Sequence, residues 1–233
     1  MAHRAVLPQD VYTILYSYFG PQGWWPVPLY HPSRYTSPSE SEAFEICVGA
    51  ILTQNTAWKN VEKAIAALRG AGALRGARAL AALGKNRLAL LIRPSGYFNQ
   101  KAVRLQGFAR HLISCHDGSV HALLAQSEDV ARKELLSLSG IGPETADCLL
   151  LYAGNKPVFV VDAYTRRLGW RLGWFATDNY AMVQDYFHRS LPRSVRTFNE
   201  YHALIVELAK SFCRKRPLCS GCPLSSGCQR IGV

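Results

Sequence analysis

No stretch of the chain holds the roughly 18 consecutive apolar residues needed to cross a bilayer, so no membrane-spanning helix is expected. The opening MAHRAVLPQD also lacks the apolar core of a secretory signal. That absence points to a cytoplasmic protein, nucleoid-associated in a prokaryote. Acidic residues are scarce: 16 Asp and Glu stand against 27 Lys and Arg, a formal charge of +11. The balance favours a polyanionic partner. Hydrophobic residues make up 48% of the 233, which excludes general disorder and suffices for a substantial core in one domain or two packed lobes.

Cysteine is scarce over most of the chain. Cys47, Cys115 and Cys148 sit in apolar or helical surroundings that suit small core residues. The other four of the seven crowd the C-terminus as Cys213, Cys219, Cys222 and Cys228, spaced C-x5-C-x2-C-x5-C. A secreted disulfide framework spreads its cysteines through the fold and needs an export signal, so it does not fit. Four thiolates can ligate zinc or a four-iron cluster, and spacing alone leaves both open.

The chain is organised around LLSLSGIGPETADCLLLYAGNKPVFVVDAYT at 135–165. Leu135, Leu136 and Leu138 close an amphipathic segment that starts near Ser127, with Glu128 and Asp129 in its first turn. Gly140-Ile141-Gly142 breaks it, Pro143 suits the first position of a new helix, and Gly154 ends that helix. Such a hairpin can present backbone N–H groups to a phosphate, or it can be an ordinary helical hairpin. The run Val158–Val161 then delivers Asp162 to the start of another helical pattern. There the carboxylate can simply cap the helix, or lie beside a bound phosphodiester backbone.

Elsewhere the pattern is helical. VYTILYSYFG at 11–20 has one apolar face, and PQGWWPVPLYHPSRYTSP then breaks regular structure with repeated prolines. Trp24, Trp25 and Tyr30 can pin that loop to the core, or an adjacent pair of planar rings can receive an extruded base. Ser41 or Ser39 starts the next helix, which carries Phe44 and Cys47 on one side and ends at Gln54, Asn55 and Thr56. Further helices follow at 57–68, in short pieces to 91, and from about Lys101 to Leu112. His111, His116 and His121 form no convincing metal set by spacing and read as solvated or satisfied core histidines. Asp162 lacks an obvious His or Ser partner, which weakens a hydrolase triad. Arg166, Arg167 and Arg171 divide among phosphate contacts, salt bridges and solvated surface. On the last long helix, Tyr201, Leu204, Ile205 and Leu208 form an apolar stripe, while His202 and Lys210 are less easily assigned.

Together these stretches resemble the endonuclease III-like helix-hairpin-helix (HhH-GPD) DNA glycosylase superfamily over roughly residues 20–230. LSGIG at 138–142 matches the family hairpin, Asp162 its catalytic aspartate, and the four C-terminal cysteines its iron–sulfur motif. LTQNT at 52–56 and Trp24-Trp25-Pro26 look like the 3-methyladenine DNA glycosylase III branch. The resemblance implies an all-α, two-lobed fold: a helical barrel over 36–156, and a C-terminal lobe over 157–233 against which residues 1–35 pack. It implies a [4Fe–4S] cluster on Cys213, Cys219, Cys222 and Cys228, and damaged double-stranded DNA held between the lobes. Gly140 and Gly142 would hold a phosphate, with a monovalent cation bridging carbonyls of the DNA-bound hairpin. Gln54 would enter DNA near the gap left by the flipped nucleotide, with Asn55 bordering it. Trp24, Trp25, Phe44, Glu144 and Lys210 would surround the base. Asn99, Gln100 and Lys101 would face the backbone, and Arg214, Lys215 and Arg216 would steer DNA to the cluster loop.

Two departures stand out. Bifunctional members carry a lysine two residues after the second glycine, where it forms an imine with the sugar. This chain has Glu144, which cannot. The first cysteine interval is five residues rather than the family's six, with all four ligands retained. The expected activity is a monofunctional glycosylase for alkylated purines, acting as a monomer with no obligate protein partner. Monofunctional excision of mismatched or deaminated bases, and a non-catalytic damaged-DNA-binding module, are the alternatives.

Overall fold

Every element of regular structure is helical in the computed structural model, which describes residues 6–26 and 37–233. Tyr30 and the rest of 27–36 lie outside the described residues. In chain order the α-helices are α1 (Pro8–Phe19), α2 (Glu40–Leu52), α3 (Trp58–Gly70), α4 (Ala77–Ala81), α5 (Lys85–Leu91) and α6 (Phe98–His116). They continue as α7 (Val120–Leu124), α8 (Glu128–Ser137), α9 (Pro143–Cys148), α10 (Ala163–Leu172), α11 (Tyr180–Ser190) and α12 (Val195–Ser211). A π-helical turn, Leu149–Ala153, prolongs α9. No helix among the described residues is long and apolar enough to cross a membrane.

The chain divides into two compact units. The unit from Trp25 to Lys156 is built around α2, whose residues from Ala43 to Leu52 are all buried. A helix apolar on every side belongs inside a core. The start of α2 is set by Ser39: its hydroxyl accepts from the Glu42 N–H, while the Glu42 carboxylate accepts from the Ser39 N–H. That reciprocal capping box decides between the two serines. Against α2 pack α6, α7 and the π-helical turn. Trp25 closes this core, its ring edge-on to Trp58 and Tyr152 at centroid distances of 5.4 and 5.5 Å. Gly49 is required beneath it, since a Cβ there would come within 2.8 Å of the indole.

The other unit takes the residues up to Trp24 and Pro157–Val233, with α12 packed on α1 and α10. Its centre is aromatic. Phe159 stacks on Phe187 at 4.0 Å, and Phe198 and Tyr201 meet Phe159 edge-on. Each such buried ring contributes on the order of 1.5–3 kcal/mol. The Val158–Val161 run has strand composition but forms no sheet, because α11 satisfies its backbone. Gln184 Nε2 donates to the Phe159 carbonyl, while His188 Nε2 and the Tyr180 hydroxyl accept from the Phe159 and Val161 N–H groups. These three side chains recur every four residues, so one helix face does the work of a neighbouring strand.

Candidate active site

The hairpin joins α8 to α9 within the first unit. Gly140 has φ +82°, a conformation that only glycine adopts cheaply, and a Cβ there would fall 2.3 Å from Arg104 Nε. Gly142 differs. Its φ is −93°, it caps α9, and a Cβ there would meet nothing within 4 Å. The first glycine is demanded by the fold, whereas the second has open space where a side chain would stand. The two helices are clamped by Arg132, whose Nε and Nη2 donate to the carboxylate oxygens of fully buried Asp147 at 2.7 and 3.2 Å. Glu144 is exposed on the first turn of α9.

Gln54 is tied to the same hairpin. Its Nε2 donates to the Gly140 carbonyl and to Thr145 Oγ1, both at 2.9 Å, while Arg104 donates to its Oε1. Asn55 beside it is exposed, at φ +53°. Arg104 was not evident from sequence, because its partners are Gln54 and a glycine far along the chain. Lys101 is a correction. It does not face a nucleic acid but is 1% exposed, donating to the carbonyls of Leu52 and Ser95 at 2.8 and 2.7 Å. There it compensates the negative end of α2 and braces the start of the Thr53–Thr56 turn. Asn99 and Gln100 are exposed.

Asp162 is the N-cap of α10, and its Oδ1 accepts from the Thr165 N–H at 2.7 Å. Its other oxygen faces His202 of α12, with Nε2 3.6 Å from Oδ2. This is an ion-pair separation, too long for a hydrogen bond. Burial would raise this carboxyl, but His202 and the Thr165 N–H more than offset it, so it sits below its ordinary value. The expectation that Asp162 has no histidine partner is therefore corrected. Nothing local in sequence marks His202; it reaches Asp162 only because α10 and α12 pack together.

The proposed pocket residues have different environments. Phe44 and Trp25 are 1% and 6% exposed, packed in the core of their unit, while Trp24 is half-buried. The segment before Trp24 is held by Glu200, a fully buried carboxylate on α12 that accepts from the Gln22 and Gly23 N–H groups at 2.7 and 3.2 Å. Lys210 is exposed, two helical turns or about 12 Å beyond His202 along α12.

Cys213, Cys219, Cys222 and Cys228 line one small cavity, walled also by Leu168, Leu208 and Phe212, and none is in a disulfide. Arg171, 6% exposed, organises the loop: it donates to Cys213 Sγ at 3.2 Å and to the carbonyls of Arg214 and Lys215 at 2.7 and 3.1 Å. Arg167 adds a bond to the Cys213 carbonyl at 2.8 Å. Buried Arg171 is thus an inward-facing support, which corrects a phosphate or surface role for it, whereas Arg167 is half-buried and Arg214, Lys215 and Arg216 are exposed. The four cysteines fit a cluster. A lone tetrahedral zinc draws its sulfurs to about 3.8 Å from one another. No three of these four have their ligand atoms within 4.8 Å of one another, a spacing wider than a single zinc ion imposes. Of the remaining cysteines only Cys47 is core; Cys148 is half-buried and Cys115 exposed, against the expectation of three core residues.

Residues 48–193 match the family model described as HhH-GPD superfamily base excision DNA repair protein. The sequence is 42% identical over 221 residues to an inferred DNA repair glycosylase of Methanocaldococcus jannaschii, with 94% of each chain covered. It is 30% identical to the endonuclease III of Thermotoga maritima, over 82% of this chain and 84% of that protein. Among solved structures, H. pylori 3-methyladenine DNA glycosylase bound to 1,N6-ethenoadenine superposes with a TM-score of 0.72 at 27% identity, covering 88% of this chain and 98% of that one. A trapped endonuclease III–DNA covalent intermediate gives 0.75 at 22% identity over 97% of both, a likeness of fold.

Proposed function

The chain belongs to the HhH-GPD superfamily of base excision DNA repair proteins and is a DNA glycosylase, and we propose that it is a monofunctional one releasing alkylated purines, 3-methyladenine above all, from duplex DNA. The observation that carries this reading is Asp162: a buried carboxylate kept ionised by a backbone N–H and a histidine, with no lysine at position 144 to attack the sugar. The likeness to H. pylori 3-methyladenine DNA glycosylase supports the choice of lesion.

The geometry suits that chemistry. The hairpin N–H groups around Gly140 and Gly142 would hold a phosphate, the hairpin carbonyls could supply ligands to a monovalent cation, and Gln54 and Asn55 would support the stack that the flipped nucleotide leaves. Damage lowers the cost of unstacking, which selects the lesion before any bond breaks. As the glycosidic bond lengthens, positive charge gathers on the sugar, and Asp162 opposes it with an anion whose field is undiluted by water. An alkylated purine leaves as a neutral base from a cationic nucleotide, so a dedicated general acid is unnecessary. Trp24, Trp25, Phe44, Glu144 and Lys210 are the proposed surroundings of that base.

Cys213, Cys219, Cys222 and Cys228 would hold a [4Fe–4S] cluster, whose thiolate bonds close a loop with few apolar residues of its own. Arg171 and Arg167 set the ligands and carbonyls of that loop, and Arg214, Lys215 and Arg216 present positive charge to the phosphates. One chain, acting as a monomer, supplies every role named.

The test is single-turnover base release from matched duplexes carrying 3-methyladenine, 7-methylguanine, uracil or no damage, analysed before and after alkali. The expected result is free methylated purine, with strand scission only after alkali. Release of uracil instead would overturn the lesion assignment, and scission without alkali would overturn the monofunctional one.

A further inference from the structure

Between α6 and α8, two histidines and a glutamate converge. His111 and His116 lie on the last turns of α6, and each Nε2 approaches Glu134 Oε1 on α8, at 2.6 and 2.5 Å. Spacing along α6 gave no hint of this, because the third member comes from a different helix. The three ligand atoms lie within 4.8 Å of one another, the one such set of His, Cys, Asp and Glu among the described residues. We propose that His111, His116 and Glu134 form a binding site for a divalent transition ion of the zinc class, which fastens α6 to the first helix of the hairpin.

The donor set matches the ion. Two imidazole nitrogens and one carboxylate oxygen suit zinc, leaving a fourth position for water. Bonds of about 2.1 Å in tetrahedral array would put neighbouring ligand atoms roughly 3.4 Å apart, so each imidazole need part from the carboxylate by less than about 1 Å. The surrounding groups are those a metal site uses. Gln126 Nε2 donates to the other Glu134 oxygen at 2.7 Å, which fixes the carboxylate's orientation. His111 Nδ1 faces Cys115 Sγ at 3.8 Å, leaving Nε2 as the inward nitrogen. The side chains of His111, His116 and Glu134 are 18%, 12% and 21% exposed, enough for an ion to enter and a water to stay.

The consequence lies in the hairpin. Glu134 is one helical turn from the end of α8, and Arg132 on the same helix holds Asp147 of α9. An ion here would fix α8 from one side while the Arg132–Asp147 pair fixes it from the other. The competing account is a hydrogen-bonded His–Glu–His clip with no affinity for metal.

The experiment uses full-length protein with its cysteine loop loaded, so that added zinc does not report on Cys213–Cys228. Zn2+ is titrated calorimetrically and, in parallel, followed by the imidazole NMR signals of His111 and His116. One equivalent is expected to shift both sets of signals and raise the melting temperature, with affinity at least about tenfold weaker in His116→Gln and in Glu134→Gln. Wild-type imidazole signals unmoved by one equivalent would overturn the proposal. So would zinc uptake unchanged in a His116→Gln protein whose circular dichroism matches wild type. The wild-type NMR titration keeps the question decidable should either variant fold poorly.

Discussion

His202 and Asp162 face each other at 3.6 Å, so the two oxygens of one buried carboxylate have separate tasks. Oδ1 caps α10 through the Thr165 N–H, and Oδ2 is turned toward the imidazole. A structural cap needs only the first of these. A group that must meet developing positive charge benefits from the second, which keeps the carboxylate charged despite its burial.

Replacement by asparagine separates the two tasks. Asn caps helices about as well as Asp, so Asp162→Asn should melt within about 1 kcal/mol of wild type. It removes the negative charge, and single-turnover base release should fall by at least 10²–10³-fold, the order found when one preorganised electrostatic group is lost. Normal release from a normally folded Asp162→Asn protein would reduce Asp162 to a helix cap.

The His202→Gln variant tests the other oxygen through pH. Asp162 titrates below its ordinary value of 3.8 in the folded protein. Its stabilising contribution is therefore present above that value and is lost as pH falls through the lowered one. The acid limb of base release set by this group should lie below pH 3.8 in wild type and move upward in His202→Gln. A limb that stays in place, with release merely lower at every pH, would mean that His202 only packs against the site.

What sequence made legible is what depends on neighbours in the chain. Gly140 with Pro143 declared the hairpin because positive φ and a first helical turn are local matters. A capped helix start at Ser41 or Ser39 was legible for the same reason, although only the structure chose Ser39 with Glu42. Asp162 was visible as an acid opening a helix. The partners that tune these residues were not visible, since Arg104, Glu200 and His202 reach Gly140, Gln22 and Asp162 only through tertiary packing. Lys101 was misread for that reason: a lysine in a polar stretch usually snorkels to water, and only the two carbonyls of Leu52 and Ser95 make its burial tolerable. The Val158–Val161 run shows the opposite case, a strand composition satisfied by one face of α11.

Lys101 should leave a mark on the pH dependence of stability. Burial, and then Arg104, push it from 10.5 down to about 8. Between those values the unfolded chain binds more protons than the folded one, so this group makes stability rise with pH across that window, and its cost is fully present below about 8. Lys101→Met should flatten that rise in urea midpoints measured from pH 7 to 10.5, while leaving the Leu52 and Ser95 carbonyls without their donor. An identical slope in the variant would place the proton elsewhere.

Arg132→Met strands the fully buried Asp147 carboxylate at the join of α8 and α9. Breaking a buried pair from one side costs about 3–5 kcal/mol, and the part-exposed guanidinium puts this case at the lower end. Removing both charges with Arg132→Met and Asp147→Leu should recover part of that loss, since no charge is then left buried alone. Equal destabilisation by the single and double changes in chemical denaturation would show that packing, not the stranded charge, sets the cost.

The two hairpin glycines should then behave differently under the same substitution. Gly140→Ala forces a side chain into φ +82° and onto Arg104, a backbone cost of about 1–2 kcal/mol before the clash is counted. Adding Arg104→Ala should relieve the clash and leave the backbone part. Gly142→Ala meets nothing and has an ordinary φ, so its melting should stay within about 0.5 kcal/mol of wild type. If a DNA phosphate approaches the Gly142 N–H, the added methyl stands in its path, and affinity for a damaged duplex should fall with stability unchanged. Fluorescence anisotropy at fixed salt measures this directly. Unaltered affinity in Gly142→Ala would move the phosphate contact off that glycine, because no folding defect would be present to obscure it.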